Sequence, residues 1–436
     1  MSLNEVHRLQ APVVTVLGRD PAHRTCVLNG NAFQQDAIIS FKGWQYAVFY
    51  SSCSSSGLGD DTQREPLFVC MSRRKLPNSE WQTIVFDDYD QTTDDGHNTV
   101  QMGICPGDGT IHLSYDHHCD TLRYRRSIKG IASDPELSRW TKDVFTSTLD
   151  YIPGITQPHE NFGYVTYPRF AGLGDDLLYI YHAATGLYEY AGKHLKGIQN
   201  NPYVHGMDHR DGKLHITWVY RGFVHYDGWD DPLDMKHKQQ AGPNGADNNY
   251  NICYVYSDDG GYTWKNGHDK TIASLRDGGS ITPDCPGLVA FDIPKGRGLT
   301  NQEAQAVDQD GGVHVLNRDT MDAENLWKHY YRSPNGKMTT PSFLPSPRRG
   351  RLAISKTGDL FLILPDPTNS SLRILKSSKA KDYAESVEVW RGVGFMGEPL
   401  VDSKRLEEED VLSIFVIIVS ATSSKDRRVA VLDFQI

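Results

Sequence analysis

Fifteen polar side chains in this sequence sit where short runs of alternating apolar residues begin or end, and their types suit proton chemistry on an anionic substrate. At the starts of such runs are His97 and Asn98, Tyr167 and Arg169, Tyr203 and His205, Asn301 and Gln302, and Arg348 and Arg349. At the ends are His117 and His118, His182, Arg221 and Arg318. Histidine titrates near neutrality and can take a weakly acidic proton from carbon. Tyrosine or a second histidine can return a proton to a leaving oxygen, and arginine pairs bidentately with a carboxylate. Together these groups suit β-elimination on a uronic acid, which removes the proton at C5 and expels the oxygen at C4. A glycoside hydrolase would instead need two carboxylates at the site. The nearest acids are Asp116, Asp319 and Glu398, and Asp116 is expected to face the sheet. Strand alternation points His118 to the opposite face from His117.

The elements that must position these groups are strands. Three stretches, DGTIHLSYDHH from Asp108, DGKLHITWVYR from Asp211 and DGGVHVLNRDT from Asp310, share an Asp-Gly turn, period-2 alternation and a histidine four residues after the Asp. The repetition of His112, His215 and His314 at equivalent places indicates packing. Weaker copies begin at Gly43, Asp175, Thr357 and Asp410. Most copies are followed by a strand, a polar turn and a tryptophan (Trp81, Trp140, Trp264, Trp390). Ser257 to Trp264 satisfies S-x-D-x-G-x-T-W, the Asp box, a structural motif in which Asp caps turn amides and Gly takes positive φ. A shorter strand precedes each copy, so the unit is four strands in about 60 residues, repeated seven times. The sequence therefore predicts an all-β protein, a seven-bladed β-propeller of four-stranded antiparallel blades, forming a single domain over residues 1–436. The last strand, RVAVLDFQI, is expected to complete a blade with N-terminal sequence, and His225 to Gly245 reads as an insertion loop.

Composition narrows the function classes. With 22 Tyr, 15 Phe and 8 Trp in 436 residues the chain has ample surface to bury, which excludes disorder. The longest apolar run, Val411 to Val419, is about half a membrane span. A net charge of −10 argues against a nucleic-acid partner but allows local anion binding where arginines converge. Seven dispersed cysteines without a CxxC pair do not make a disulfide framework. Cys105, Cys119, Cys253 and Cys285 leave room for a structural Zn2+ or Ca2+ ion, while the chemistry itself requires no cofactor. The start, MSLNEVHRLQAP, lacks a signal-peptide pattern, so the expectation is an extracellular protein if a leader has been removed and a cytoplasmic one otherwise. A monomer is expected.

GHNTVQMGICPGDGTIHLSYDHHCDTLRYRRS, then VTYPRF, YVHG, LHITWVYR and NQEAQAVDQDGGVHVL, resemble the BNR-repeat polysaccharide lyases. These are seven-bladed propellers that include the ulvan lyases and the fungal L-rhamnose-α-1,4-D-glucuronate lyases. The motifs cover about half the chain. The resemblance implies an acidic, uronate-containing polysaccharide as partner and β-elimination as the reaction. It implies catalytic roles for His97, His117, Tyr167 and Arg221, with Arg221 on the carboxylate. Asn98, His118, Arg169, His182, Tyr203, His205, Gln302 and Arg318 are then expected substrate contacts. Where ulvan lyases tend to carry an arginine after the third blade's apolar strand, this chain has His182, which favours the rhamnose–glucuronate type. The Asp box keeps a sialidase-like exo-glycosidase as an alternative, and a non-catalytic glycan-binding propeller is the other.

Overall fold

The computed structural model describes residues 8–52, 66–178, 181–233, 238–239, 242–301, 304–320, 326–345 and 348–436. They fall into two compact units, one of Met1–Tyr190, Ala353–Lys376 and Val387–Ile436, the other of Ala191–Leu352 and Ser377–Ser386. In the first unit Ile38–Phe41, Trp44–Ser51, Leu67–Lys75 and Gln82–Gln91 form an antiparallel sheet in chain order. Val100–Ile104, Ile111–Tyr115 and Tyr124–Arg126 form the next, extended by single bridges from Tyr124 to Leu149 and Ser127 to Phe145. Four two-residue strands between Gly172 and Tyr188 make a small third sheet. Arg351–Ile354, Leu360–Asp366, Ser371–Ser377 and Ser386–Val393 form a sheet lying largely in this unit. The last sheet runs Phe395–Val401, Val411–Val419, Arg427–Gln435 and then Val13–Arg19. The N-terminal strand thus completes the C-terminal sheet, as the sequence predicts.

That closure is reinforced by buried charge. Asp433 accepts from Arg74 Nη2 at 2.5 Å and Arg405 Nη1 at 2.8 Å. Asp402 caps the seven-residue helix Ser403–Glu409 through the Arg405 N–H (3.1 Å), and its other oxygen takes Ser40 Oγ (2.6 Å) and Gln45 Nε2 (2.8 Å). First and last sheets are therefore tied by fully satisfied polar groups, the condition under which buried charge is tolerated.

The second unit holds two sheets. Asn200–Arg210, Lys213–Gly222, Asn249–Ser257, Thr263–Asn266 and Thr271–Ser274 form one, with Val289–Phe291 pairing on Asn249–Ser257. Ala304–Val307, Val313–Asp319, Leu326–Arg332 and Met338–Pro345 form the other. The Asp box behaves as its residues dictate. Asp259 Oδ1 accepts from Thr263 N–H at 2.8 Å, Ser257 Oγ accepts from Gly261 N–H at 2.8 Å, Gly261 has φ +94°, and Trp264 is fully buried. The seven blade-type sheets are the inventory of a seven-bladed β-propeller.

The recurring histidines pack, as their repetition indicates. His112 Nδ1 meets the hydroxyls of Tyr124 (2.7 Å) and Tyr188 (2.8 Å), His215 Nδ1 meets Tyr254 (2.9 Å), and His314 Nδ1 meets His329 Nε2 (2.8 Å). All are buried.

Candidate functional site

The chemistry gathers in the first unit on three pieces of non-repetitive backbone. The loop joining Gln91 to Val100 carries Asp95, His97 and Asn98. It is pinned from several sides: Arg24 donates to the carbonyls of Thr92 (2.8 Å) and Gln91 (2.9 Å), Asp94 accepts the N–H groups of Thr25 and Cys26, and Asn31 donates to the Gly96 carbonyl (2.8 Å). The second piece, His118–Asp120, pairs antiparallel with the third, Val165–Thr166, with Thr166 opposite His118. Tyr167 follows directly and holds φ +54°, an uncommon conformation for an aromatic residue.

These pieces converge on one carboxylate. Asp95 Oδ1 lies 2.5 Å from His97 Nδ1 and accepts the His97 backbone N–H at 2.9 Å. Asp95 Oδ2 lies 2.6 Å from His118 Nδ1. The two imidazoles stack, with centroids 4.1 Å apart and planes 29° apart. Phe33, on the 3-10 turn Ala32–Gln34, lies 4.8 Å from the His97 ring and stacks on Tyr167 at 5.0 Å, while Tyr167 is 5.9 Å from His97. Both imidazoles keep some exposure, 35% for His97 and 23% for His118. Burial pushes the Asp95 carboxyl up, but the His97 N–H and the two imidazoles outweigh it and hold it down at about 2. Asp95 is thus an anion throughout the neutral range. Among the described residues Asp95, His97 and His118 are also the one group with spacing suited to a metal ion, whereas the cysteines do not gather with histidines. Both ring nitrogens lie within hydrogen-bond reach of the Asp95 carboxylate.

His117 is placed differently from the sequence expectation. It is 1% exposed, its Nε2 accepts the Arg123 N–H at 2.7 Å, and its Nδ1 has no hydrogen-bond partner among the described residues. Burial, aided by the Arg123 charge, pushes its pKa down to about 3, so it is a neutral interior group. The cause is Asp116, whose φ of +61° ends the strand Ile111–Tyr115 and breaks the alternation. The chain turns His117 inward and sends His118 to Asp95. Asn98 is also interior (1% exposed), donating to Asp116 Oδ1 at 2.8 Å, and Asp116 further accepts from Tyr89 and Gln91. Arg169 is buried at 7% exposure. His182 is half-buried between Asp176 (3.2 Å) and Glu189 (3.3 Å).

In the second unit Arg221 donates through Nε to Asn249 (2.9 Å) and through Nη2 to Asn301 (3.1 Å), and its guanidinium lies over the Tyr203 ring at 4.6 Å. Tyr203 is therefore largely covered, at 8% exposure. His205 is fully buried between Thr217 Oγ1 (3.2 Å) and Asn317 Nδ2 (3.0 Å), so it is interior rather than at a site mouth. Arg318 is half-buried at the end of Val313–Asp319. Gln302 lies outside the described residues.

Two members of the cluster, Asp95 and Phe33, were not among the sequence candidates. Asp95 carried a readable signal: Asp two residues before His97 is the pattern of an Asx turn, here realised by its bond to the His97 N–H. Phe33 had none, because its place beside Tyr167 is a long-range contact.

The family profile described as "BNR repeat-containing family member" matches residues 44–342. Over 287 residues the chain is 30% identical to the short isoform of ulvan lyase from Alteromonas sp. (strain LOR), covering 54% of this chain and 51% of that protein. It is 24% identical over 359 residues to the long isoform from Pseudoalteromonas sp. (strain PLSV), covering 68% of this chain and 33% of that protein. The chain therefore spans between a third and about half the length of these curated relatives. The crystal structure of the polysaccharide lyase Uly1 superposes with a TM-score of 0.69 at 18% identity, covering 98% of this chain and 99% of that one, so the two share a fold.

Proposed function

Because the chain belongs to the BNR repeat-containing family, we propose that it acts as a polysaccharide lyase, cleaving the bond to a glucuronate residue by β-elimination. The observation that carries this reading is the pair of stacked imidazoles sharing Asp95 beside Tyr167. One neutral imidazole of the pair takes the C5 proton. The electron pair released forms the C4–C5 double bond, the C4–O bond breaks, and the leaving oxygen receives a proton from Tyr167 or from the other ring as imidazolium. Exchange with water resets both groups. The roles belong to His97 and His118, whereas His117 is an interior acceptor for the Arg123 N–H.

Arg221 is proposed as a carboxylate-binding group on its own surroundings within the second unit: with Nε and Nη2 held by Asn249 and Asn301, Nη1 makes no hydrogen bond among the described residues. A charge-assisted bond from Nη1 is the contact a carboxylate would make there. The glycan proposed is of the rhamnose–glucuronate type. His182, flanked by the Asp176 and Glu189 carboxylates, makes that position a poor receiver for a sulfate group.

Among the described residues the three acids nearest to a hydrolase role are engaged elsewhere. Asp116 is committed to Tyr89, Gln91 and Asn98, Glu398 accepts the Ala32 N–H at 2.8 Å, and Asp319 is paired with Arg297 (2.7 Å) and Lys328. The test is ultraviolet absorbance of the conjugated product during incubation with a panel of uronate glycans, including gum arabic and ulvan. A rise with one glycan identifies lyase and substrate together. New reducing ends without a rise point to hydrolysis, and binding without either product points to a glycan-binding protein.

A further inference from the structure

The two imidazoles meet Asp95 through the same nitrogen. Nδ1 of each lies within hydrogen-bond reach of a carboxylate oxygen, and a carboxylate oxygen accepts and does not donate. Each Nδ1 must therefore carry a hydrogen. We propose that Asp95 is a positioning residue that locks both His97 and His118 in the Nδ1–H tautomer, so that Nε2 is the working nitrogen of each ring. Free neutral histidine favours Nε2–H, which would leave the lone pair facing the carboxylate and no base for the substrate. The inference rests on the lyase reading for its purpose, but not for its geometry.

The carboxylate is itself held. Its Oδ1 also accepts the His97 backbone N–H at 2.9 Å, closing an Asx turn that fixes which oxygen faces which ring. Among the described residues Oδ2 serves His118 alone. This asymmetry makes the inference sharp. In Asp95→Asn the amide oxygen keeps the Oδ1 place, because the turn N–H and His97 both demand an acceptor there. The amide NH2 then takes the Oδ2 place and faces His118 with a donor. His118 must answer with a bare Nδ1, and its hydrogen moves to Nε2. His97 stays Nδ1–H.

The test is long-range 1H–15N correlation NMR on protein labelled with 15N-histidine, at a pH above both imidazole titrations, with His97→Gln and His118→Gln supplying the assignments. In the wild type both rings are expected as Nδ1–H. In Asp95→Asn His118 switches to Nε2–H while His97 does not, and kcat on the cleaved glycan falls by about a hundredfold or more with KM changed only a few-fold. An Nε2–H signal for either ring in the wild type overturns the inference, as does a His118 that stays Nδ1–H in the variant. The wild-type spectrum decides the matter even if the variant folds poorly. If the tautomers are as stated but no uronate glycan is cleaved, the lyase reading fails and the positioning role of Asp95 stands.

Discussion

Replacing His117 by Gln tests the distinction between an interior and a reacting histidine. The His117 ring is 1% exposed, and burial with the Arg123 charge holds its pKa at about 3 against 6.5 for an ordinary histidine. A group with a depressed folded pKa binds a proton more readily in the unfolded chain. It therefore costs nothing above the unfolded value and destabilises the fold as pH falls below it, until the folded pKa is reached. One pH unit in that window is worth about 1.4 kcal/mol, so lowering the pH to about 5 costs about 2 kcal/mol through this residue. Gln cannot titrate, and its side-chain oxygen can take the place of Nε2 as acceptor for the Arg123 N–H. Urea unfolding followed by tryptophan fluorescence and circular dichroism, at about pH 7.5 and about pH 5, reads the difference. The variant should lose about 2 kcal/mol less than the wild type on acidification, with kcat at neutral pH close to wild type. An unchanged pH dependence would refute the claim that the fold holds His117 neutral, and a hundredfold loss of kcat would place it in the reaction after all.

His97→Gln and His118→Gln should each lower kcat by about a hundred- to ten-thousandfold on the glycan identified by absorbance, and Tyr167→Phe should lower it too; full activity in both histidine variants would sink the mechanism. Asp433→Asn removes the charge shared by Arg74 and Arg405 and should destabilise the first unit by about 3–5 kcal/mol in urea unfolding, leaving the histidine tautomers unchanged in folded protein. Ser257→Ala leaves the buried Gly261 N–H without its acceptor and should cost about 1–3 kcal/mol in the second unit, whereas a neutral result would show that the Asp-box turn is held by Asp259 alone.

Wherever the physics is local, the fold could be read from the chain. Period-2 alternation after Asp-Gly turns marked the blade strands, the Ser257–Trp264 box was recognisable from its spacing, and the unpaired apolar C-terminal strand called for a partner that Val13–Arg19 supplies. Residue types also named the chemistry, because imidazoles, a tyrosine and arginines at strand ends narrow the reactions available. The choice between His117 and His118 was not legible. Alternation assigns neighbouring side chains to opposite faces only while the strand continues, and the positive φ of Asp116, held by contacts to Asn98 and Gln91 from another loop, stops it one residue early. Burial of Asn98 and His205 was hidden for the same reason, since their partners Asp116 and Asn317 are remote in sequence. Asp95 shows both sides of the division. Its Asx turn with His97 is written into three consecutive residues, but the approach of His118 to its second oxygen exists only because a separate two-stranded ribbon carries that ring to the loop. Local sequence sets which groups can donate and accept, and tertiary structure alone decides which of them meet.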